Sequence, residues 1–297
     1  MQKEVSNKTE LTPIKFLMMP ALIKMSRPRF WLYLAGPLLI GFTAGINSLT
    51  AFTNPWLFIL LLYFLWPANF YLYGVNDYFD LDTDILNAKK SGKEILLNQP
   101  AIRKAASLAI IISLIISSAV LLFIPGTINK AMFFAFILLA ASYSVPPLRF
   151  KKLPFIDSLS NVLYALPGFI GYTLASGQLP PLTAVIAAWA WTAAMHLFSA
   201  IPDIAPDKAA GLKTSAVKLG KNLSLAVCTL LWLLFAAITI GCGFVLPLSW
   251  LFLIYPLVPL SLIFTGDLEK AYWRFPVITG FFGFLVFWHL LLSKFLF

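Results

Sequence analysis

The sequence contains very little charge for its length. Only 11% of its 297 residues are Asp, Glu, Lys or Arg, whereas 60% are hydrophobic, and the mean hydropathy is +0.86. A soluble protein of this composition would have too little polar surface to cover itself. Repeated apolar runs approach the length that crosses a bilayer. The composition therefore predicts an integral membrane protein.

Cysteine is scarce, and strand patterning and signal-peptide features are missing. The two cysteines, Cys228 and Cys242, lie in one apolar run, too far apart along a helix to bond, which excludes a disulfide framework. The apolar runs are continuous rather than alternating, so helices are expected instead of a barrel. The first 29 residues contain Lys, Arg and Glu without a short apolar core, so we expect no cleaved signal peptide. Basic and aromatic residues are not interleaved, and we expect no nucleic-acid partner.

Nine apolar segments predict an all-α integral membrane protein with nine transmembrane helices. We expect a cytoplasmic segment at 1–29 and a single transmembrane domain at 30–297. The predicted helices are Phe30–Ser48, Trp56–Gly74, Ile102–Ile124, Lys130–Tyr143, Asp157–Ser176, Leu182–Pro202, Leu223–Val245, Leu248–Phe264 and Phe275–Phe295.

Charge is distributed unevenly across these predicted helices. With nine helices, one side of the membrane receives all 12 acidic residues and 20 of the 22 Lys and Arg residues, leaving only Lys130 and Lys294 elsewhere. The positive-inside rule places the charged side in the cytoplasm. The sequence therefore predicts a multi-pass protein of the inner (plasma) membrane, with a cytoplasmic N-terminus, an external C-terminus and a basic face toward lipid headgroups.

The first acidic cluster follows the second predicted helix. If that helix continues past the membrane, Asn76, Asp77, Asp80 and Asp84 fall within an arc of about 100°. Carboxylates at these spacings repel one another and destabilise a helix unless a cation is present. The spacing therefore predicts a metal site. It also predicts two pocket residues on the same helix face, Tyr73 one turn earlier and Asn69 two turns earlier.

The second acidic cluster, Asp203 and Asp207, ends the sixth predicted helix, and His196 lies close to the same face. Two carboxylate stripes that meet at one membrane face would form an all-oxygen divalent site. Mg²⁺ favours few carboxylates together with water and phosphate oxygens. The two clusters therefore predict two Mg²⁺ ions that hold a diphosphate between them.

Basic residues follow each cluster and would stabilise charge on a departing diphosphate. The candidates for diphosphate binding are Lys90, Lys208, Arg149 and Lys151. Aromatic faces, including those of Tyr73 and Tyr143, would shield a carbocation without attacking it.

Two further polar residues have more than one interpretation. His196 is either a packed, hydrogen-bonded histidine or a catalytic base. Asp157, which follows Pro154, is expected to be the N-cap of the fifth helix rather than a metal ligand.

These motifs together resemble the UbiA superfamily of intramembrane prenyltransferases. The resemblance covers nearly the whole chain and rests on Asn76-Asp77-x-x-Asp80-x-x-x-Asp84, Asp203-x-x-x-Asp207, the 143–151 stretch YSVPPLRFK, and Arg27-Pro28 with Trp31. It implies a nine-helix UbiA-like bundle with a lateral opening toward lipid. It also implies Mg²⁺-dependent transfer from a prenyl diphosphate at the cytoplasmic side.

In finer detail, the runs 76–94 and 196–220 are similar to the carotenoid branch, the lycopene elongases. That similarity implies a dimethylallyl donor and lycopene as the lipophilic acceptor. A quinone or other aromatic acceptor within the same superfamily is the alternative. A secondary transporter is the alternative from another class, but it would place its acids near the bilayer midplane rather than at one interface.

Overall fold

A computed structural model of the protein describes residues 20–85, 96–264 and 266–296. These residues form α-helices joined by 3-10 turns and loops, and no strand occurs among them. The helices are α1 (Leu32–Gly45), α2 (Pro55–Leu65), α3 (Pro67–Phe79), α4 (Leu81–Asp84), α5 (Pro100–Phe123), α6 (Thr127–Ser144), α7 (Ile156–Leu159), α8 (Leu166–Ser176), α9 (Leu182–Ala200), α10 (Ile204–Ala209), α11 (Ser215–Gly241), α12 (Ile254–Phe264) and α13 (Leu268–Phe295). The all-α prediction is confirmed.

Six helical stretches in the described chain are long and apolar enough to cross a membrane. Two predicted segments form shorter apolar helical stretches, Leu32–Gly45 and Leu248–Phe264. The remaining predicted segment, 157–176, is divided between α7, a 3-10 turn at Ser160–Tyr164, and α8. The six long stretches are Pro55–Phe79, Pro100–Phe123, Thr127–Ser144, Leu182–Ala209, Ser215–Gly241 and Leu268–Phe295.

The second predicted helix is interrupted between α2 and α3. Pro67 begins α3 and cannot continue α2, so the last carbonyls of α2 lose their intrahelical donors. The side chain of Asn69 replaces them, because its Nδ2 donates to the carbonyls of Phe64 at 2.7 Å and Leu65 at 3.1 Å. Asn69 is fully buried. The structure therefore gives Asn69 a structural position instead of the pocket position that the helical arc predicted.

Helices α1 and α8 pack closely because glycines line their contact. A Cβ atom added at Gly45 would lie 2.7 Å from the carbonyl oxygen of Tyr172, and one at Gly168 would lie 3.1 Å from that of Pro37. Added Cβ atoms at Gly41 and Gly171 would also meet the backbone of the opposite helix. Small residues permit this approach in membrane helices, where apolar surface alone gives no drive for association.

The buried core has two large parts. One contains Phe198, Trp232, Tyr255 and Phe275 from α9 and α11–α13. The other contains residues of α1–α3, α5, α6 and α8, with Tyr63, Phe64, Phe133 and Phe136 at its centre. The two acidic clusters lie at the ends of α3 and α9, so each part contributes one cluster to the space between them.

Candidate active site

A cavity of about 240 Å³ lies between the two parts of the core. Asp80 and Asp84 of the first cluster line it, together with Asp203 and Asp207 of the second. The clusters are more than 100 positions apart in sequence, yet they share one cavity. The other predicted site residues that line it are Asn76, Tyr73, Tyr143, Lys151 and His196.

Asp80 lies where the helix breaks between α3 and α4. Its backbone leaves the helical conformation at φ −109° and ψ 8°, so the acidic cluster does not form the single continuous helical stripe that was predicted. Its buried carboxylate accepts hydrogen bonds from Asn76 Nδ2 at 2.7 Å and forms ion pairs with Lys151 at 2.5 Å and Arg149 at 3.4 Å. A buried carboxylate needs such partners. Asp80 is therefore fixed by charge from a segment about 70 residues away.

Asp77 is only 1% exposed and is not among the residues that line the cavity in the described chain. Its Oδ1 forms an ion pair with Arg27 at 2.9 Å. The guanidinium of Arg27 also lies 4.7 Å from the centroid of the Tyr73 ring and lines the cavity. Sequence reasoning did not assign Arg27 a site role. The signal was present, because a helix-borne aspartate beside a membrane needs a cation to be buried.

Arg27 and Arg149 share an uncommon backbone conformation. Both adopt positive φ, 49° and 37°, in the left-handed region that non-glycine residues rarely occupy. Each places its guanidinium beside a carboxylate of the first cluster. Strained backbone of this kind persists where the surrounding contacts overdetermine it, which often occurs at functional sites.

His196 is held at both ring nitrogens. Its Nε2 shares a 2.7 Å hydrogen bond with the Tyr143 hydroxyl, and its Nδ1 shares a 3.2 Å hydrogen bond with Ser158 Oγ. Both His196 and Tyr143 line the cavity. The arrangement fixes the ring and leaves its tautomer to be set by these two hydroxyl groups. Ser158 was not among the predicted site residues.

The sequence predicted Asp157 as a helix N-cap, and this prediction is wrong. Asp157 lies in the first turn of α7, where Phe155 occupies the N-cap position. The buried Asp157 carboxylate accepts hydrogen bonds from the backbone N–H of Ser158 and of Ser215, both at 2.7 Å, and from the Ser215 hydroxyl. It thereby ties α7 to the start of α11. Thr214, the residue before Ser215, donates to Asp207 Oδ2 at 3.3 Å. The contact between Asp157 and Ser215 therefore supports the second cluster.

Some predicted phosphate-binding residues lie outside the cavity wall. Arg149 reaches the carbonyl of Phe79 at 3.1 Å as well as Asp80, and so holds the end of α3. Lys208 is exposed on α10, next to Asp207. Lys90 falls outside the residues that the structure describes.

The donor set fits a magnesium ion that is completed by a ligand. Among the described residues, no group of three His, Cys, Asp or Glu side chains forms a metal site by itself. Asp80 and Asp84 instead line the same cavity as Asp203 and Asp207. Mg²⁺ typically takes one or two carboxylates and fills its remaining positions with water and phosphate oxygens. The oxygen-only donors on both walls match that preference.

A second, larger cavity adjoins the first. Its volume is about 880 Å³, and its walls are mostly apolar side chains of α1, α8, α9 and α11–α13. Tyr33 and Tyr164 line both cavities and therefore mark their boundary. The Tyr164 hydroxyl is bonded to that of Tyr73 at 3.0 Å. The molecule thus places a charged compartment beside an apolar one.

Comparison with known proteins agrees with this geometry. The profile of the UbiA prenyltransferase family matches residues 30–274. The chain belongs to that family. It is therefore a prenyltransferase and, with its six long apolar helical stretches, a multi-pass membrane protein. The resemblance inferred from its motifs is confirmed.

Relatives within the family include two named lycopene elongase/hydratase. The protein of Haloferax volcanii is 42% identical over 88% of this chain and 85% of its own length. That of Haloarcula japonica is 40% identical over 91% of this chain and 90% of its own length.

The fold of this UbiA family member is also that of a UbiA homologue from Archaeoglobus fulgidus, solved with DMAPP and Mg²⁺. The likeness has a TM-score of 0.64 at 23% identity and covers 90% of this chain and 99% of that one.

Proposed function

We propose that the chain transfers a dimethylallyl group from its diphosphate to lycopene, held as a lipophilic acceptor in the membrane. The observation that carries the proposal is the single cavity that joins both aspartate clusters and opens beside an apolar cavity. The names of the Haloferax and Haloarcula relatives support lycopene as acceptor. The ligand of the Archaeoglobus structure supports a dimethylallyl donor.

The carboxylates would hold two Mg²⁺ ions, one at each cluster. Asp77, Asp80 and Asp84 form the first set, with Asn76 orienting Asp80, and Asp203 and Asp207 form the second. Bound Mg²⁺ supplies positive charge that stabilises the diphosphate as it departs.

Basic side chains supply the remaining positive charge. Lys151 and Arg27 line the cavity and pair with Asp80 and Asp77, and Arg149 holds Asp80 from outside the cavity wall. Lys208, exposed near Asp207, and Lys90 are proposed to attract the diphosphate toward the entrance. A fixed cation at the departing oxygens lowers the barrier to breaking the C–O bond.

Aromatic residues would protect the allylic cation that this bond cleavage produces. Tyr73, Tyr143 and Tyr164 line the cavity, and the hydroxyls of all three are already engaged in hydrogen bonds. Their rings present electron-rich faces, while their oxygens are restrained from attack. His196, bonded to Tyr143, is proposed to position that ring.

The membrane arrangement is proposed from charge. Nine crossings, with the broken α7–α8 stretch counted as the fifth, place the acidic clusters on the cytoplasmic side of the inner membrane. The N-terminus would be inside and the C-terminus outside. Lys294 supports this arrangement, because its Nζ donates to the carbonyls of Ala44 at 2.5 Å and Ile46 at 3.0 Å. The ends of α1 and α13 therefore lie together.

Liposomes that contain the purified protein and lycopene would test the proposal. Addition of dimethylallyl diphosphate and Mg²⁺ should release inorganic diphosphate and produce a heavier carotenoid, seen by mass spectrometry. EDTA should stop both. Diphosphate release with an unchanged lycopene pool, and with prenylated quinone when quinone is supplied, would replace lycopene by an aromatic acceptor. Solute flux without diphosphate release would favour a transporter.

A further inference from the structure

Three hydroxyl side chains from different helices lie together in the mostly apolar wall of the larger cavity. Tyr33 of α1, Tyr255 of α12 and Thr279 of α13 all line this cavity. The ring of Trp191 lies between the two tyrosines, with centroids 6.3 Å from Tyr33 and 5.8 Å from Tyr255. Four elements therefore bring polar atoms to one place in the apolar compartment.

Two of these hydroxyls are buried without a satisfied hydrogen bond. Thr279 interacts with both tyrosines, yet within the described residues neither Tyr33 Oη nor Thr279 Oγ1 completes a hydrogen bond of good geometry. Buried hydroxyls are normally paired, with protein or with ordered water. An ordered water molecule needs at least two polar partners, and these three side chains of the cavity wall supply them.

The group of three hydroxyl side chains reaches the boundary between the two cavities. Tyr33 lines the charged cavity as well as the apolar one. A donor carbon that leaves the charged cavity and an acceptor that occupies the apolar one would meet beside Tyr33. Water held there would lie beside the new bond, in a compartment whose lining is mostly apolar.

We propose that Tyr33 and Thr279, with Tyr255 beside them, bind the water molecule that hydrates the acceptor after prenyl transfer. The inference rests on the proposed function. The allylic carbon forms a C–C bond to the terminal double bond of lycopene and leaves a tertiary cation. The bound water gives an electron pair to that cation, forming a C–O bond. One water proton goes to an oxygen of the released diphosphate, and no oxidant or reductant is required.

The tertiary cation can also lose a proton instead of binding water, so the product mixture can be measured to test the proposal. Loss of a proton from the neighbouring carbon yields an alkene that is lighter than the alcohol by one water. The ratio of alcohol to alkene therefore reports how well water is placed. Because both products form in the same reaction, a variant that only turns over more slowly does not change the ratio.

The test uses full-length protein in lycopene liposomes with dimethylallyl diphosphate, Mg²⁺ and ¹⁸O-labelled water. The wild type should give labelled alcohol. Tyr33→Phe and Thr279→Val keep the shape of each side chain but remove its hydroxyl, and each should lower the alcohol-to-alkene ratio by about tenfold, the effect of losing one well-placed hydrogen-bond partner.

Thr192→Val is the matched control. Thr192 lines the same cavity, but its hydroxyl already donates to the carbonyl of Trp189 at 3.1 Å. Its variant should keep the wild-type ratio. An equal fall in Thr192→Val would overturn the inference, because the ratio would then follow the general polarity of the wall.

Two other results separate this inference from the proposed function. A wild type that prenylates lycopene but gives only alkene, or an alcohol without ¹⁸O, would overturn the inference alone. A wild type that does not prenylate lycopene at all would overturn the proposed function and the inference with it. An unchanged ratio in both Tyr33→Phe and Thr279→Val would remove these residues from the water site.

Discussion

The two acidic clusters of the cavity are built differently. In the first, Asp77 and Asp80 are 1% and 2% exposed, and each is paired with cations from distant segments. In the second, Asp203 is the N-cap of α10 and Asp207 lies within that helix; both are half-buried, and Thr214 donates to Asp207. A buried ion pair is costly to break from one side. The first cluster therefore contributes to both the fold and the site, whereas the half-buried second cluster should contribute less to the fold.

The largest effect should come from the second cluster. Asp203→Ala removes a half-buried carboxylate from the cavity, so turnover should fall by about 10³-fold, the scale of losing an electrostatic stabiliser. The melting temperature in detergent should change little. Diphosphate release and thermal unfolding would be measured on the same preparation. Activity near that of the wild type would remove Asp203 from the proposed metal site.

Substitution of Asp77 in the first cluster should lower both turnover and stability. Asp77→Ala should also abolish turnover, but it leaves the guanidinium of Arg27 buried without its carboxylate. Loss of one partner from a buried ion pair lowers the free energy of unfolding by about 3–5 kcal/mol. Circular dichroism during heating would detect this as a large fall in melting temperature.

A double variant isolates the cause of that instability. Asp77→Ala with Arg27→Met removes both charges, and it should recover much of the stability without recovering turnover. Instability that persists in the double variant would show that Asp77 supports the fold by some route other than Arg27.

Several features of the site were predictable from local sequence. Helices follow from the length of each apolar run, and both clusters were placed near one cavity because their carboxylates follow apolar helices on the same side. Tyr143 and His196 were both assigned to the site, and they are joined by a hydrogen bond. These features depend on residue type and short spacing, which a single sequence contains.

Other features depend on contacts that spacing does not encode. Arg27 pairs with Asp77 across 50 positions, and Ser215 pairs with Asp157 across 58. The predicted helical arc grouped Asn76 with Asp77, whereas Asn76 lines the cavity and Asp77 is buried against Arg27. Asn69 was misplaced because its partners are carbonyls that a proline one turn away leaves without donors.

The two lysines beside the clusters should contribute unequally to kcat/KM, because one is buried and the other is exposed. Lys151 is buried and lies 2.5 Å from Asp80, whereas Lys208 is exposed next to Asp207. Lys151→Met should lower kcat/KM for the diphosphate by about 10²-fold, because it removes a fixed cation from the cavity. Lys208→Met should lower it by less than about threefold, since exposed charges are screened by salt. Equal losses would show that both lysines act only as general surface charge.

A moderate effect on stability should come from Asp157, whose hydrogen bonds support the second cluster from outside the cavity. Asp157→Asn keeps the size of the side chain but weakens its hydrogen bonds with Ser215, which hold α7 to α11. The free energy of unfolding should fall by about 1–3 kcal/mol, the effect of impairing a buried, charge-assisted hydrogen bond. Ser215→Ala is the matched change on the other side and should give a similar loss. In the double variant, the two losses should not add, because they remove one shared interaction. Full additivity would show that Asp157 and Ser215 act independently, and the second cluster would then have no support from this link.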